Sequence, residues 1–148
     1  MKELPTIVTF PEFALFVNGT PVKLSTTGYE ILAYLVNAQG RNVHNDELIK
    51  NVLKREKNER SKVLLRVTWH KLKKDLEDYG AGDIIRSLQG GRWRCAVPWN
   101  YYCDMDQLTQ GSRLQSARYV DDYLKPYDWA ADKRRQLNQL AEYYRKAA

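Results

Sequence analysis

Two hydrophobic periods succeed one another along the chain. Short β-branched and aromatic runs come first, at Ile7 to Phe10, Phe13 to Val17 and Val22 to Leu24. Asn18-Gly19, between the second and third runs, is a hairpin signal because both residues accept the left-handed backbone of a tight turn. An antiparallel meander is therefore expected. At Ser25, a residue suited to capping a helix, the period changes, and Tyr29, Ile31, Leu32, Leu35 and Val36 recur at helical spacing until Gly40. This predicts a first helix from Thr26 to Gln39. After a link through Arg41 and Val43, Asn45-Asp46-Glu47 brings acids to the first turn of a second helix whose apolar face is Leu48, Ile49, Val52 and Leu53. Lys54 to Arg60 reads as a charged loop.

From Ser61 to Tyr79 the sequence holds neither Gly nor Pro. Leu65, Trp69, Leu72 and Leu76 fall at i, i+4, i+7 and i+11, a narrow stripe at about 100° per residue and the expected core face of a third helix. The opposite face carries Val63, Val67, His70 and Lys74, flanked by Arg66 and Lys71. Gly80 ends the pattern. Ile84 to Leu88 and Trp93 to Val97 are strand-like and are separated by Gln89-Gly90-Gly91-Arg92, which predicts a second hairpin with a glycine-rich tip. Trp93 is expected to pack on the helices. The order of strands, three helices and hairpin is that of an α+β winged helix-turn-helix, whose third helix enters the major groove while the hairpin reaches across the backbone.

Charge sharpens this picture. The 148 residues carry 24 Lys+Arg against 18 Asp+Glu, a net charge of +6. Between Lys50 and Lys74 stand ten basic residues and two acidic ones, so that segment holds an excess of +8 and the remainder sums to about −2. Such a segment is either the footprint of a polyanion binder or a solvated helix face. No apolar run reaches the roughly 18 to 20 residues of a membrane span, and the opening lacks the pattern of a signal peptide, so a cytoplasmic protein with no membrane partner is expected. Cys95 and Cys103 are then expected as reduced thiols. Together with His44 and His70 they form no C-x-x-C or H-x-x-x-H, so neither a metal nor another cofactor is expected. No nucleophile motif or phosphate-binding loop is present, and Asp104/Asp106 and Asp121/Asp122 read as capping or surface residues, so no enzyme is expected.

The segments LSTTGYEILAYLVNAQGRNVHNDELI, RVTWHKLKKDLE and IIRSLQGGRWRC resemble the OmpR/PhoB-type winged helix, most closely the version in SARP-type activators and related response regulators. The resemblance spans about residues 6 to 98 and departs from the family at Leu53, where a Trp is common, and at Arg92, where a Gly is usual in the wing. It implies a winged helix over residues 1–98 that reads double-stranded DNA in a bacterial transcriptional regulator. The recognition helix is 61–79, with Lys62, Arg66, Val67, His70, Lys71 and Lys74 facing DNA. The hairpin 84–97 is the wing, with Ser87, Gln89, Arg92 and Arg94, joined by Arg86, at the backbone. The resemblance also implies RNA polymerase as a partner and weak homodimers on tandem half-sites. A winged helix used to bind another protein is the alternative, and salt-dependent binding to duplex DNA separates the two.

Beyond residue 98, YYCDMDQL and ARYVDDYLKPYDWAADKRRQL resemble parts of a bacterial transcriptional activation domain. Residues 99–148 are therefore expected as a helical extension. Its second helical stretch, Trp129 to Ala148, places Ala130, Leu137, Ala141 and Tyr144 on one face. Those residues dock on the chain's own N-terminal sheet, pair with a second chain, or are the stub of a longer stack.

Overall fold

The computed structural model describes residues 4–95 and 101–147. β1 (Thr6–Val8) pairs antiparallel with β2 (Ala14–Val17), which turns through Asn18 (φ 51°) and Gly19 (φ 77°) into β3 (Thr20–Pro21). Two consecutive left-handed residues give this turn a twist that matches its flanking strands. The third strand is shorter and earlier than the expected Val22 to Leu24. Pro21 has no amide with which to extend the ladder, the Val22 amide reaches back to the Leu15 carbonyl (2.9 Å), and Ser25 already caps the helix that follows.

The Ser25 hydroxyl accepts the Gly28 amide (3.0 Å) at the start of α1 (Thr26–Asn37), which buries Ile31, Leu32, Leu35 and Val36. The helix stops before Gln39 because Gln39 and Gly40 both adopt positive φ. Within the expected link lies a short strand, β4 (Val43–His44), and α2 spans Asn45–Asn51, leaving Val52 and Leu53 beyond its end. α3 (Glu59–Asp78) begins two residues before Ser61, since the Asn58 side chain caps it by accepting the Ser61 amide (3.0 Å). At its other end the amides of Gly80 and Ala81 donate to the carbonyls of Glu77 and Leu76 (2.9 and 2.8 Å), the paired bonds of a Schellman cap.

Leu65, Leu72 and Leu76 are buried, but Trp69 of the same stripe is only half-buried, its ring edge-on to Trp93 at the rim of the core. A 3-10 turn over Gly82–Ile84 leads into β5 (Ile85–Leu88), and β6 (Arg92–Cys95) returns antiparallel to it. The strand therefore starts one residue after Ile84, which closes the preceding turn. Residues 96–97 of the second expected strand, and the expected boundary between residues 98 and 99, lie outside the described residues. β4 joins β6 from the other side, so the wing sheet has three strands in the order β4-β6-β5.

The extension is docked on the same chain. β7 (Tyr102–Cys103) adds to β1 in parallel and completes a four-stranded sheet in the order β3-β2-β1-β7. α4 (Asp104–Thr109), α5 (Arg113–Arg118) and α6 (Ala131–Lys146) follow, with a 3-10 turn at Asp128–Ala130. Ala130, Leu137 and Ala141 are buried and Tyr144 is half-buried. Trp129 packs edge-on against Tyr34 of α1 and donates its Nε1 hydrogen to Glu30 (2.9 Å), while the Tyr123 hydroxyl donates to Asn37 (2.8 Å). One continuous core runs through the sheet, the three N-terminal helices and the extension.

Candidate nucleic-acid interface

With Leu65, Leu72 and Leu76 turned inward, the opposite ridge of α3 faces solvent. Val63 is 48% and Val67 60% exposed, and Lys62, Arg66, His70, Lys71 and Lys74 are all exposed around them. Two of these cations are engaged at the surface, Lys62 with Glu59 and Lys71 with Asp75, each at 3.5 Å. Among the described residues no carboxylate lies within 4 Å of Arg66 or Lys74. By contrast Lys54 and Lys57, just before α3, pair with Asp128 (2.8 Å) and Asp46 (3.1 Å).

The wing stands beside this helix. Pairing aligns Arg86 with Arg94, Ser87 with Trp93 and Leu88 with Arg92, so the hairpin splits into two faces. Ile85, Trp93 and Cys95 point into the core with Ser87 on their side, whereas Arg86, Arg92 and Arg94 share the outer face. Arg86 and Arg94 therefore stand opposite each other without a carboxylate among the described residues, an arrangement that is unfavourable until an anion neutralises it. At the tip, Gln89, Gly90 and Gly91 form a three-residue turn, pinned where Arg92 Nε donates to the Gln89 carbonyl (3.0 Å). Gly91 is required twice over: its φ is +68°, and a Cβ there would come within 2.8 Å of the Asn45 side chain.

Between α3 and the wing lies an open cleft of about 450 Å³. Lys62 and Arg66 form one wall, Ser87 and the two tip glycines the other, and Trp69 and Trp93 line it below, with ring centroids 4.2 Å apart at 72°. The Trp93 indole donates to the Asn45 side chain, and the Asn45 amide donates to the Gly91 carbonyl (2.8 Å), which fixes the wing to the start of α2. That start is itself braced. His44 Nδ1 accepts the Asp46 amide (3.1 Å), and Glu47 accepts the His44 amide (3.0 Å) and the Arg41 guanidinium (3.0 Å). Burial alone would raise the Glu47 carboxyl, but the bonds from Arg41 and His44, with Tyr34, together hold it below its ordinary value.

The structure thus gathers Lys62, Arg66, Val67, His70, Lys71 and Lys74 on one helix face. It separates Ser87, in the cleft, from Arg92 and Arg94 on the outer wing, with Gln89 exposed at the tip. Sequence reasoning overlooked His44, Asn45 and Lys57 as lining of the cleft. Their only local signal was the cap at the start of α2, which does not say that the wing packs there.

Residues 19–91, which include α1 to α3 and the wing as far as its tip, match the family model "Transcriptional regulatory protein, C terminal". This stretch of the chain belongs to that family. The winged helix of OmpR/PhoB type is therefore the fold of this stretch, the fold of DNA-binding domains of transcriptional regulators. In the same fold stands the solved structure of "Mycobacterium tuberculosis EmbR in complex with low affinity phosphopeptide", with a TM-score of 0.71 and 18% identity. The likeness covers 97% of this chain, extension included, and 44% of EmbR, so this chain spans less than half the length of that protein. No curated protein sequence matches the chain. Among the described residues no helix is long and apolar enough to cross a membrane.

Proposed function

We propose that the chain recognises sequence in double-stranded DNA by laying the outer ridge of α3 in the major groove while the β5-β6 wing grips the flanking backbone. The observation that carries this reading is the position of the cations that have no carboxylate within 4 Å among the described residues. Arg66 and Lys74 on α3, and Arg86, Arg92 and Arg94 on the wing, flank a cleft and a ridge that the other described residues leave uncovered. Lys and Arg so placed release counterions from phosphates, and the residues between them reach base edges. Lys71 and Lys74 are point charges without the planar fork of Arg, so they serve the backbone better than bidentate guanine readout. On the family resemblance we assign RNA polymerase as a further partner and tandem half-sites as the target, with weak pairing of two copies on DNA.

The test is duplex binding measured across a salt series. Lys71→Ala combined with Lys74→Ala should weaken binding at least about tenfold and flatten the logarithmic salt slope by about one to two units, at about 0.9 per lost phosphate contact. Unchanged affinity in a folded double variant would reject the reading and favour the protein-binding alternative.

A further inference from the structure

A second open cleft, of about 320 Å³, shares no lining residue with the one between α3 and the wing. It lies where the winged helix meets the extension. Pro11, Glu12 and Phe13 come from the loop between β1 and β2, Tyr29 from α1, and Tyr127 from the extension just before its 3-10 turn. Three half-buried aromatic rings therefore reach one space from three parts of the chain. Phe13 and Tyr29 stand edge to face (6.2 Å between centroids, 83°), while Tyr127 is backed by Trp129, stacked at 5.0 Å and 8°.

The polar groups nearby narrow the occupant. The Tyr29 hydroxyl donates to the Val22 carbonyl and Trp129 Nε1 to Glu30, so neither donor is left for a ligand. Among the described residues no Lys, Arg or His lines the cleft, and its one carboxylate, Glu12, is exposed with no cation within 4 Å. Burial, and after it the Glu30 carboxylate, push the Tyr127 phenol up, so that ring stays neutral and keeps the negative face of its quadrupole. Ring faces around one unneutralised carboxylate attract a cation. A metal ion or plain ammonium would have to exchange its water for ring faces and the hydrocarbon of Pro11 and Pro126, whereas methyl groups on the nitrogen spread the charge and give each ring an apolar contact. The volume stands at the low end for ligand pockets, so the occupant is small. We propose that this cleft binds a free quaternary ammonium ion of choline type, its trimethylammonium group against Phe13, Tyr29 and Tyr127 and its charge facing Glu12. Because those rings belong to both parts of the chain, the bound ion ties the extension to the winged helix.

The test is calorimetric titration of the full chain with choline, beside its neutral isostere in which carbon replaces the nitrogen. Choline should bind and raise the thermal midpoint, and the isostere should do neither. Phe13→Leu keeps apolar volume but removes a ring face, and Glu12→Gln removes the charge, so each should weaken choline about two- to fivefold. Glu12 is exposed, so its variant tests the site even where Phe13→Leu unfolds in a melt. An isostere that binds as tightly as choline, or choline affinity unchanged in every variant that folds, overturns the proposal, as does no binding of choline at all. Phosphatidylcholine vesicles carry the same trimethylammonium group on a lipid, and sedimentation of the chain with them, competed by choline, would overturn the soluble source. Duplex binding is a separate measurement, so none of these results touches the DNA reading.

Discussion

The carboxylate of Asp104 accepts the backbone amide of Thr9 at 2.9 and 3.0 Å through its two oxygens, and the Thr9 hydroxyl as well. It also accepts the amides of Phe10 (3.2 Å) and Met105 (2.8 Å), so a single side chain at the start of α4 satisfies the backbone where β1 ends. This joint spans 95 residues of sequence and fixes the extension to the first strand of the winged helix.

Asp104→Ala leaves buried donors without acceptors and should cost about 3 kcal/mol, the range for losing several hydrogen bonds to a charged group. A lowered urea midpoint with an unchanged slope is the expected result. Removal of residues 129–148 should do more, because it uncovers the space filled by Leu137 and Ala141 and takes Trp129 from Tyr34. The truncated chain is expected to lose its cooperative thermal transition, and its DNA binding with it.

Trp69→Ala tests how the wing is held. The ring is half-buried and edge-on to Trp93, so the cost should be about 2 to 3 kcal/mol, below the roughly 3 to 5 kcal/mol of a fully buried aromatic. Leu76→Ala, at a position with no exposure, should cost at least as much. Trp69→Ala should also weaken duplex binding by releasing the wing, an effect that Leu76→Ala at matched residual stability should not share.

Asp75 holds Lys71 at 3.5 Å and adds a negative charge beside the ridge of α3. Asp75→Asn should therefore tighten duplex binding about two- to fivefold at low salt, with the gain shrinking as salt rises. A titration at two ionic strengths is sufficient to check it.

Glu47 gives a pH dependence with a definite sign. Its folded-state value lies below the ordinary 4.5, so the native chain releases this proton more readily than the unfolded one. The stability it confers is complete above about pH 4.5 and is lost as pH falls through the folded value. Glu47→Gln should cost about 1 kcal/mol at pH 7, a typical capping contribution kept modest by the exposed Arg41 partner, and the difference from the parent should vanish as pH falls below the folded-state value of Glu47. Chemical denaturation at a series of pH values would follow it.

What the chain's own residues determine is local and periodic. Asn18-Gly19 sets its hairpin because both residues accept positive φ, Ser25 caps α1 through a bond three residues long, and the spacing of Leu65, Leu72 and Leu76 decides which side of α3 is apolar. The outward cations of the candidate interface follow from that same spacing, as does the Lys71–Asp75 pair at i, i+4. Only the tertiary structure decided the rest. β4 and β7 are two residues each, too short to show a period, and they exist because β6 and β1 lie beside them. Trp69 has the spacing of a core residue, yet Trp93 and the open cleft leave it half in solvent. Whether the apolar face of α6 would meet its own chain or another was undetermined by its pattern, because periodicity specifies that a face must be buried and says nothing of its partner. Closure of the chain supplies that partner, bringing Asp104 to Thr9 and Trp129 to Glu30 across more than ninety residues.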